Sequence, residues 1–75
     1  MELNDFVARF AEQFEDTDPS EITAETVYKD LDEWSSILAF SVIAMVKTEY
    51  DKTVTGAENR HCETLEDLFN TIAAK

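Results

Sequence analysis

Residues 34–50 read Trp-Ser-Ser-Ile-Leu-Ala-Phe-Ser-Val-Ile-Ala-Met-Val-Lys-Thr-Glu-Tyr and decide the fold. Apolar side chains occupy more than one helical face of this stretch, which is typical of a helix that is central to a core or faces a partner. Ser35 and Ser36 stand at its start, and either hydroxyl suits a helix N-cap. We therefore predict a helix over about 36–50 that begins at the two serines.

An N-terminal helix is predicted before this one, because apolar residues recur there at intervals of three and four. They are Leu3, Phe6, Val7, Phe10, Ala11 and Phe14. Pro19 and the acidic stretch before it end the helix, since proline cannot continue the hydrogen-bond ladder. Residues 19–35 keep only loosely spaced apolar anchors, so they form either a helical segment or a long ordered loop.

The last helix begins at Thr64-Leu65-Glu66-Asp67, which resembles a capping box. Its apolar residues follow at helical spacing: Leu65, Leu68, Phe69 and Ile72. Residues 51–62 form a polar connection that holds either a turn or one short helix. The sequence thus predicts an all-α fold, a small bundle of three main helices with a possible short extra helix and a long first loop, in one domain over residues 1–75.

The three apolar stripes also predict the core, because none of them has another place to avoid water. The predicted core residues are Phe6, Val7, Phe10, Phe14, Phe40, Ile43, Val46, Leu68, Phe69 and Ile72.

The charge balance restricts the partners. Seventeen acidic residues against six basic ones give a formal net charge of −11, which repels nucleic acids and anionic membrane surfaces. Partners with basic docking faces gain in association rate. The simpler interpretation is that the acids only keep a small domain in solution, so acidity alone names no function.

Other site types find little support. The single cysteine, Cys62, cannot form an internal disulfide, and it is interpreted with His61 as an ordinary loop residue. Residues 16–20 begin like a calcium loop, but Glu21 and Val27 stand where glycine and glutamate are needed. No signal-peptide pattern opens the sequence, and the apolar run 37–46 is too short for a bilayer. We expect a cytoplasmic monomer with no membrane insertion.

Ser35 and Ser36 allow three interpretations. A catalytic serine would need a base, and the one histidine lies in a distant polar loop. A structural N-cap needs nothing more. A hydroxyl at a helix N-terminus also suits an attached phosphodiester, because the helix dipole favours a negative group there. The residues alone leave the last two interpretations open.

Trp34-Ser35-Ser36-Ile37 resembles the attachment motif of acyl carrier proteins, which typically reads Asp-Ser-Leu and in one branch has a tryptophan just before it. Glu49 and Tyr50 match the "Glu-Phe" ending of that family's second helix. Residues 64–68 look like its "Thr-Val-x-Asp-Leu" opening of the last helix. The resemblance covers essentially the whole chain in length, acidity and helix order.

In this register Ser36 is the attachment residue. The resemblance implies that a phosphopantetheinyl transferase moves 4′-phosphopantetheine from coenzyme A to Ser36, and that the thiol of this arm holds acyl groups as thioesters. The protein would then not be an enzyme but would present cargo to acyl-transferring or synthase enzymes. The alternative is a non-carrier helical interaction module in which Ser36 is only an N-cap.

Two departures from the family pattern bear on the partners. Ser35 replaces the usual aspartate, and the second helix lacks the exposed acids by which fatty-acid members meet basic enzymes. We therefore predict a partner face that relies on apolar contact, with Leu38 and Met45 exposed unless both are core residues. Its residues are Leu38, Ser41, Met45 and Thr48. This pattern favours a specialised lipid or secondary-metabolite pathway over ordinary fatty-acid synthesis.

Overall fold

Four helices enclose the core in the computed structural model, which describes residues 2–75. They are α1 (Leu3–Ala11), α2 (Ser36–Tyr50), α3 (Gly56–His61) and α4 (Leu65–Ala73). α1 packs against α2 and α4, and α3 packs against the same two helices. Residues 2–75 contain no β-strand, so the predicted all-α bundle of three main helices, one short extra helix and a long first loop is confirmed.

Local sequence sets the helix ends. The Ser35 hydroxyl accepts a hydrogen bond from the Leu38 N–H at 3.4 Å and caps α2, and Asp51 ends that helix in the left-handed region at φ 53°. Thr55 and Thr64 each form a complete capping box with the acidic residue three positions later. These short patterns satisfy N–H groups that a helix leaves without partners, so they place α2, α3 and α4 in the chain.

Residues 12–35 connect α1 to α2. Of the two alternatives predicted for residues 19–35, a helical segment or a long ordered loop, the structure shows the loop. It contains two 3₁₀ turns, Pro19–Glu21 and Tyr28–Asp30. The N–H groups of Leu65 and Glu66 donate to the carbonyls of Thr26 and Ala24 at 3.2 and 2.9 Å. These bonds attach the middle of the loop to the first turn of α4.

The core confirms most of the predicted residues. Phe6, Phe10, Phe14, Val46, Leu68 and Ile72 are buried. Val7, Ile43 and Phe69 are partly buried and pack against these residues. The loop and the α3 region supply further buried side chains that the three stripes do not include, namely Ile22, Tyr28, Val54 and Cys62.

The prediction that Phe40 belongs to the core is wrong, since this residue is 73% exposed. α2 is apolar nearly all round, but only one of its faces can pack into the core that it shares with α1 and α3. The buried face holds Leu38, Val42, Met45 and Val46, at the three- and four-residue spacing of a single stripe. Phe40, two positions from Val42, therefore falls on the opposite side.

An aromatic cluster of Phe10, Phe14, Tyr28 and Trp34 joins α1 to the end of the loop. The Trp34 indole stacks on Phe10 with a centroid distance of 6.0 Å and an interplanar angle of 10°. Tyr28 meets Trp34 edge-on at 5.0 Å. Since Trp34 lies two residues before α2, this cluster fixes the point from which α2 begins.

We expect Phe10→Ala to lower the free energy of unfolding by about 3–5 kcal/mol, because it removes a fully buried ring and leaves a cavity. Phe40→Ala is the matched control and should cost less than about 1 kcal/mol, since that ring is exposed. Urea unfolding of both variants measures the difference, and equal losses would contradict this packing.

Candidate functional site

Ser36 is the first residue of α2, and its side chain is exposed. The cap of this helix is formed by Ser35, whose hydroxyl accepts from Leu38 N–H. Among residues 2–75 the Ser36 hydroxyl has no hydrogen-bond partner. The two neighbouring serines therefore differ in their contacts: the Ser35 hydroxyl bonds to the backbone of α2, and the Ser36 hydroxyl is exposed to solvent.

The first turn of α2 keeps open donors that the first turn of α4 does not. In α4, the N–H groups of Leu65 and Glu66 donate to the loop, and that of Asp67 donates to the Thr64 hydroxyl at 3.1 Å. In α2, no partner within residues 2–75 accepts from the N–H groups of Ser36 and Ile37. These two groups and the positive end of the helix dipole favour an anion beside Ser36.

A cavity of about 450 Å³ opens beside Ser36, between α2, α3 and the second 3₁₀ turn. The side chains that α2 contributes to its wall beyond the serines are apolar, which makes the cavity suited to an apolar chain. Its lining residues are Lys29, Trp34, Ser35, Ser36, Ala39, Phe40, Ile43, Gly56, Asn59 and Arg60.

Two of the six basic residues of the chain, Lys29 and Arg60, lie in this wall. The Lys29 ammonium group donates a hydrogen bond to the backbone oxygen of Arg60, which joins the loop to α3. In a chain with a net charge of −11, cations beside the free hydroxyl of Ser36 make this part of the surface more favourable to a negative group. The spacing of residues in the sequence gave no sign that these cations meet.

Glu33 holds the start of the loop in place before the aromatic cluster. Its carboxylate accepts hydrogen bonds from the backbone N–H groups of Glu15, Asp16 and Thr17 at 2.8, 3.0 and 2.9 Å, and from the Thr17 hydroxyl at 2.9 Å. These bonds lower the pKa of the Glu33 carboxyl below its usual value, and the bond from the Glu15 N–H has the largest effect. Glu33 therefore ties the turn after α1 to the segment that leads into Trp34 and Ser36.

The predicted partner face needs a correction. Leu38 and Met45 are only 8% and 7% exposed, so the expectation that both are exposed was wrong, and the core alternative applies. Thr48 is exposed and Ser41 half-buried. Ser41, Met45 and Thr48 border a second depression of about 360 Å³ between α1 and α2, whereas Leu38 does not line it.

The exposed large apolar residues of α2 are instead Ile37 and Phe40, at 76% and 73% exposure. They lie three positions apart on the helix, immediately after Ser36. Sequence reasoning did not select them because the apolar residues of α2 surround the helix and give no preferred face. Only the packing of α2 against α1 and α3 shows that these two side chains face away from the core.

The remaining candidates from the sequence do not gather into a site. His61 is exposed, whereas Cys62 is buried with its Sγ 3.4 Å from the Thr71 hydroxyl. Residues 2–75 contain no group of three or more side chains arranged to hold a metal ion. Within the same residues no helix has the length and apolar character needed to cross a membrane.

Comparisons of the chain with protein-family models, with curated proteins and with solved structures found no match. Its function is therefore inferred from the geometry around Ser36.

We expect Leu38→Asp to destabilise the fold by about 3–5 kcal/mol, because it places a charge in a buried position. Ile37→Asp is the matched control. Both substitutions put an acid in the first turn of α2, where the helix dipole favours it. Only an acid at position 38 can also form a capping box with Ser35, which works against the expected loss, so a lower thermal midpoint for Leu38→Asp than for Ile37→Asp reports burial. A stable Leu38→Asp protein would contradict the packing of α2 described above.

The Glu33 hydrogen bonds predict a pH-dependent stability. Because the folded pKa lies below the usual value of 4.5, the ionised carboxylate stabilises the fold above that pH, and the contribution disappears as the pH falls through the folded pKa. Glu33→Gln should therefore lower the thermal midpoint at pH 7, and the gap to wild type should close in acid. Asp32→Asn removes the same charge from an exposed neighbour and should show no such convergence.

Proposed function

We propose that this protein is a carrier that holds acyl groups as thioesters on a 4′-phosphopantetheine arm attached to Ser36. The observation that carries the proposal is the exposed Ser36 hydroxyl, which has no partner within residues 2–75 and borders an apolar cavity at the start of α2. A chemically free hydroxyl beside a space for an apolar chain is what a carrier needs. The resemblance of residues 34–37 to the attachment motif of acyl carrier proteins supports the same function.

The residues around Ser36 fit a phosphodiester. The N–H groups of Ser36 and Ile37 and the dipole of α2 favour its negative charge, and Lys29 and Arg60 add positive charge nearby. Attachment forms a bond between the Ser36 oxygen and the phosphorus of the pantetheine phosphate, and it releases adenosine 3′,5′-bisphosphate and a proton. The arm would supply a thiol for thioester formation, and this chain would supply shelter for the acyl group.

Ile37 and Phe40 are the residues that we propose as the partner face, in place of Leu38 and Met45. Both follow Ser36 closely and are exposed, so a transferase or an acyl-transferring enzyme that reaches Ser36 contacts them first. Large apolar side chains release water on contact and contribute much of the energy of such interfaces. The negative charge of the chain favours partners with basic docking faces.

The same exposed pair also favours a second candidate function, a helical interaction module that carries no arm. In that case α2 binds a partner through Ile37 and Phe40, and Ser36 has no chemical role. The two functions differ in one observable, because only a carrier is modified at Ser36.

The carrier proposal predicts that Ser36→Ala abolishes modification. Wild-type protein incubated with coenzyme A and a broad-specificity phosphopantetheinyl transferase should gain the mass of one phosphopantetheine group, measured on the intact protein. Peptide mapping should place the group on Ser36. The alanine variant should gain nothing because it lacks the oxygen that attacks phosphorus.

Ser35→Ala is the matched control. It removes the N-cap and should cost about 1 kcal/mol of stability, but it keeps the Ser36 oxygen, so modification should at most slow. A group found on Ser35, or a wild-type protein that no transferase modifies, would overturn the proposal and leave the interaction module.

A further inference from the structure

Among residues 2–75, Asn59 of α3 is the one buried polar side chain beside the cavity that has no hydrogen-bond partner. It is 2% exposed, and it lines the same cavity as Ser36. Neither its amide nitrogen nor its amide oxygen has a hydrogen-bond partner within residues 2–75. Buried amides are nearly always paired, because an unpaired one loses its bonds to water without replacement.

The backbone of Asn59 is fully committed, which leaves the side chain as the only free group. Its N–H donates to the Thr55 carbonyl at 3.0 Å inside α3. Its carbonyl accepts from the Tyr28 hydroxyl at 2.6 Å, and burial raises the pKa of that hydroxyl above its usual value, so it remains a donor. These backbone bonds hold α3 at this point without the carboxamide.

We propose that the Asn59 carboxamide is a hydrogen-bonding subsite for an oxygen atom within the acyl cargo, so that the cavity selects oxygenated chains over plain alkyl chains. The inference rests on the proposed carrier function and deepens it by naming the class of cargo. A keto or hydroxyl oxygen accepts from the amide nitrogen, and a hydroxyl can also donate to the amide oxygen. A plain alkyl chain leaves both amide atoms unpaired.

The remainder of the cavity explains why the effect would be selective. The apolar side chains Ala39, Phe40 and Ile43 line it and offer no hydrogen bonds to the cargo. Both amide atoms of Asn59 are closed to solvent in the unloaded protein, so binding of a cargo oxygen requires the Asn59 side chain to turn toward the cavity. An oxygenated chain then gains a bond in a place where water does not compete.

The first experiment uses covalent cargo. Wild type is loaded on Ser36 by a phosphopantetheinyl transferase from octanoyl-coenzyme A or from 3-oxooctanoyl-coenzyme A, and the side-chain NH₂ resonances of Asn59 are followed by ¹⁵N–¹H spectroscopy. The oxo cargo should shift these resonances and slow their exchange with water, whereas the octanoyl cargo should not. Equal shifts from both cargoes would overturn the subsite. This comparison of two cargoes uses only the wild-type protein.

The second experiment needs no loading. Unmodified protein is titrated with 2-hexanone and with its isostere 2-methyl-1-hexene, and the ratio of the two dissociation constants measures preference for the oxygen. Asn59→Leu keeps the volume and removes the amide. The preference of the protein for the ketone over the alkene should therefore fall by about 2- to 10-fold in this variant. Asn70→Leu, at an exposed position of α4, is the matched control and should leave the ratio unchanged.

Asn59→Leu should also melt higher than wild type by about 4–8 °C when unloaded, because it removes an unpaired buried amide. A ketone preference that is the same in wild type and Asn59→Leu overturns the subsite. Refusal of Ser36 by the transferase overturns the carrier function instead, and the titration still decides whether Asn59 binds the oxygen.

Discussion

The stacking of Trp34 on Phe10 is the contact on which the rest of the site depends. The loop between α1 and α2 is long, and ordering it costs conformational entropy. Its 3₁₀ turns and the hydrogen bonds of Glu33 offset part of this cost. The aromatic cluster opposes this cost at one point, two residues before α2. Because the indole is held against α1, the start of α2 has a fixed position. The free hydroxyl, the open N–H groups and the cavity all follow from that position.

The charge of the surface around the cavity differs from the charge of the chain as a whole. The chain as a whole is strongly acidic, yet the wall of the cavity beside Ser36 contains Lys29 and Arg60. Elsewhere, Arg9, Lys47 and Lys75 are paired with acidic side chains. A negative group attached at the start of α2 would therefore meet the least repulsive part of this surface, while the acidic remainder meets basic partners at longer range.

The helices were predictable because the signals that place them are local. The caps of α2 and α4, a serine and a threonine with an acid three positions later, act within one helical turn. The spacing of Phe6 and Phe10 alone shows which face of α1 is buried. The orientation of α2 was not predictable in this way. Its residues are apolar all round, so the burial of Leu38 and Met45 and the exposure of Phe40 depend on where other helices pack.

The residues of the cavity wall could not be predicted from the sequence, for a related reason. Lys29 lies in the loop and Arg60 in α3, and no spacing rule brings them together. They meet because Tyr28 is buried and its hydroxyl bonds to the carbonyls of Asn59 and Cys62. Ser36, in contrast, could be proposed from the sequence, because its neighbours resemble a known motif and its helix has a clear start.

The bonds between the loop and the first turn of α4 also affect how the chain folds. They join Ala24 and Thr26 to residues far along the sequence, although most helical bundles rely on contacts between near neighbours. Closing so long a segment costs entropy before any of its contacts form. The refolding rate of this protein should therefore be lower than that of a bundle of equal size with short connections, and the middle of the loop should be among the last segments to become ordered.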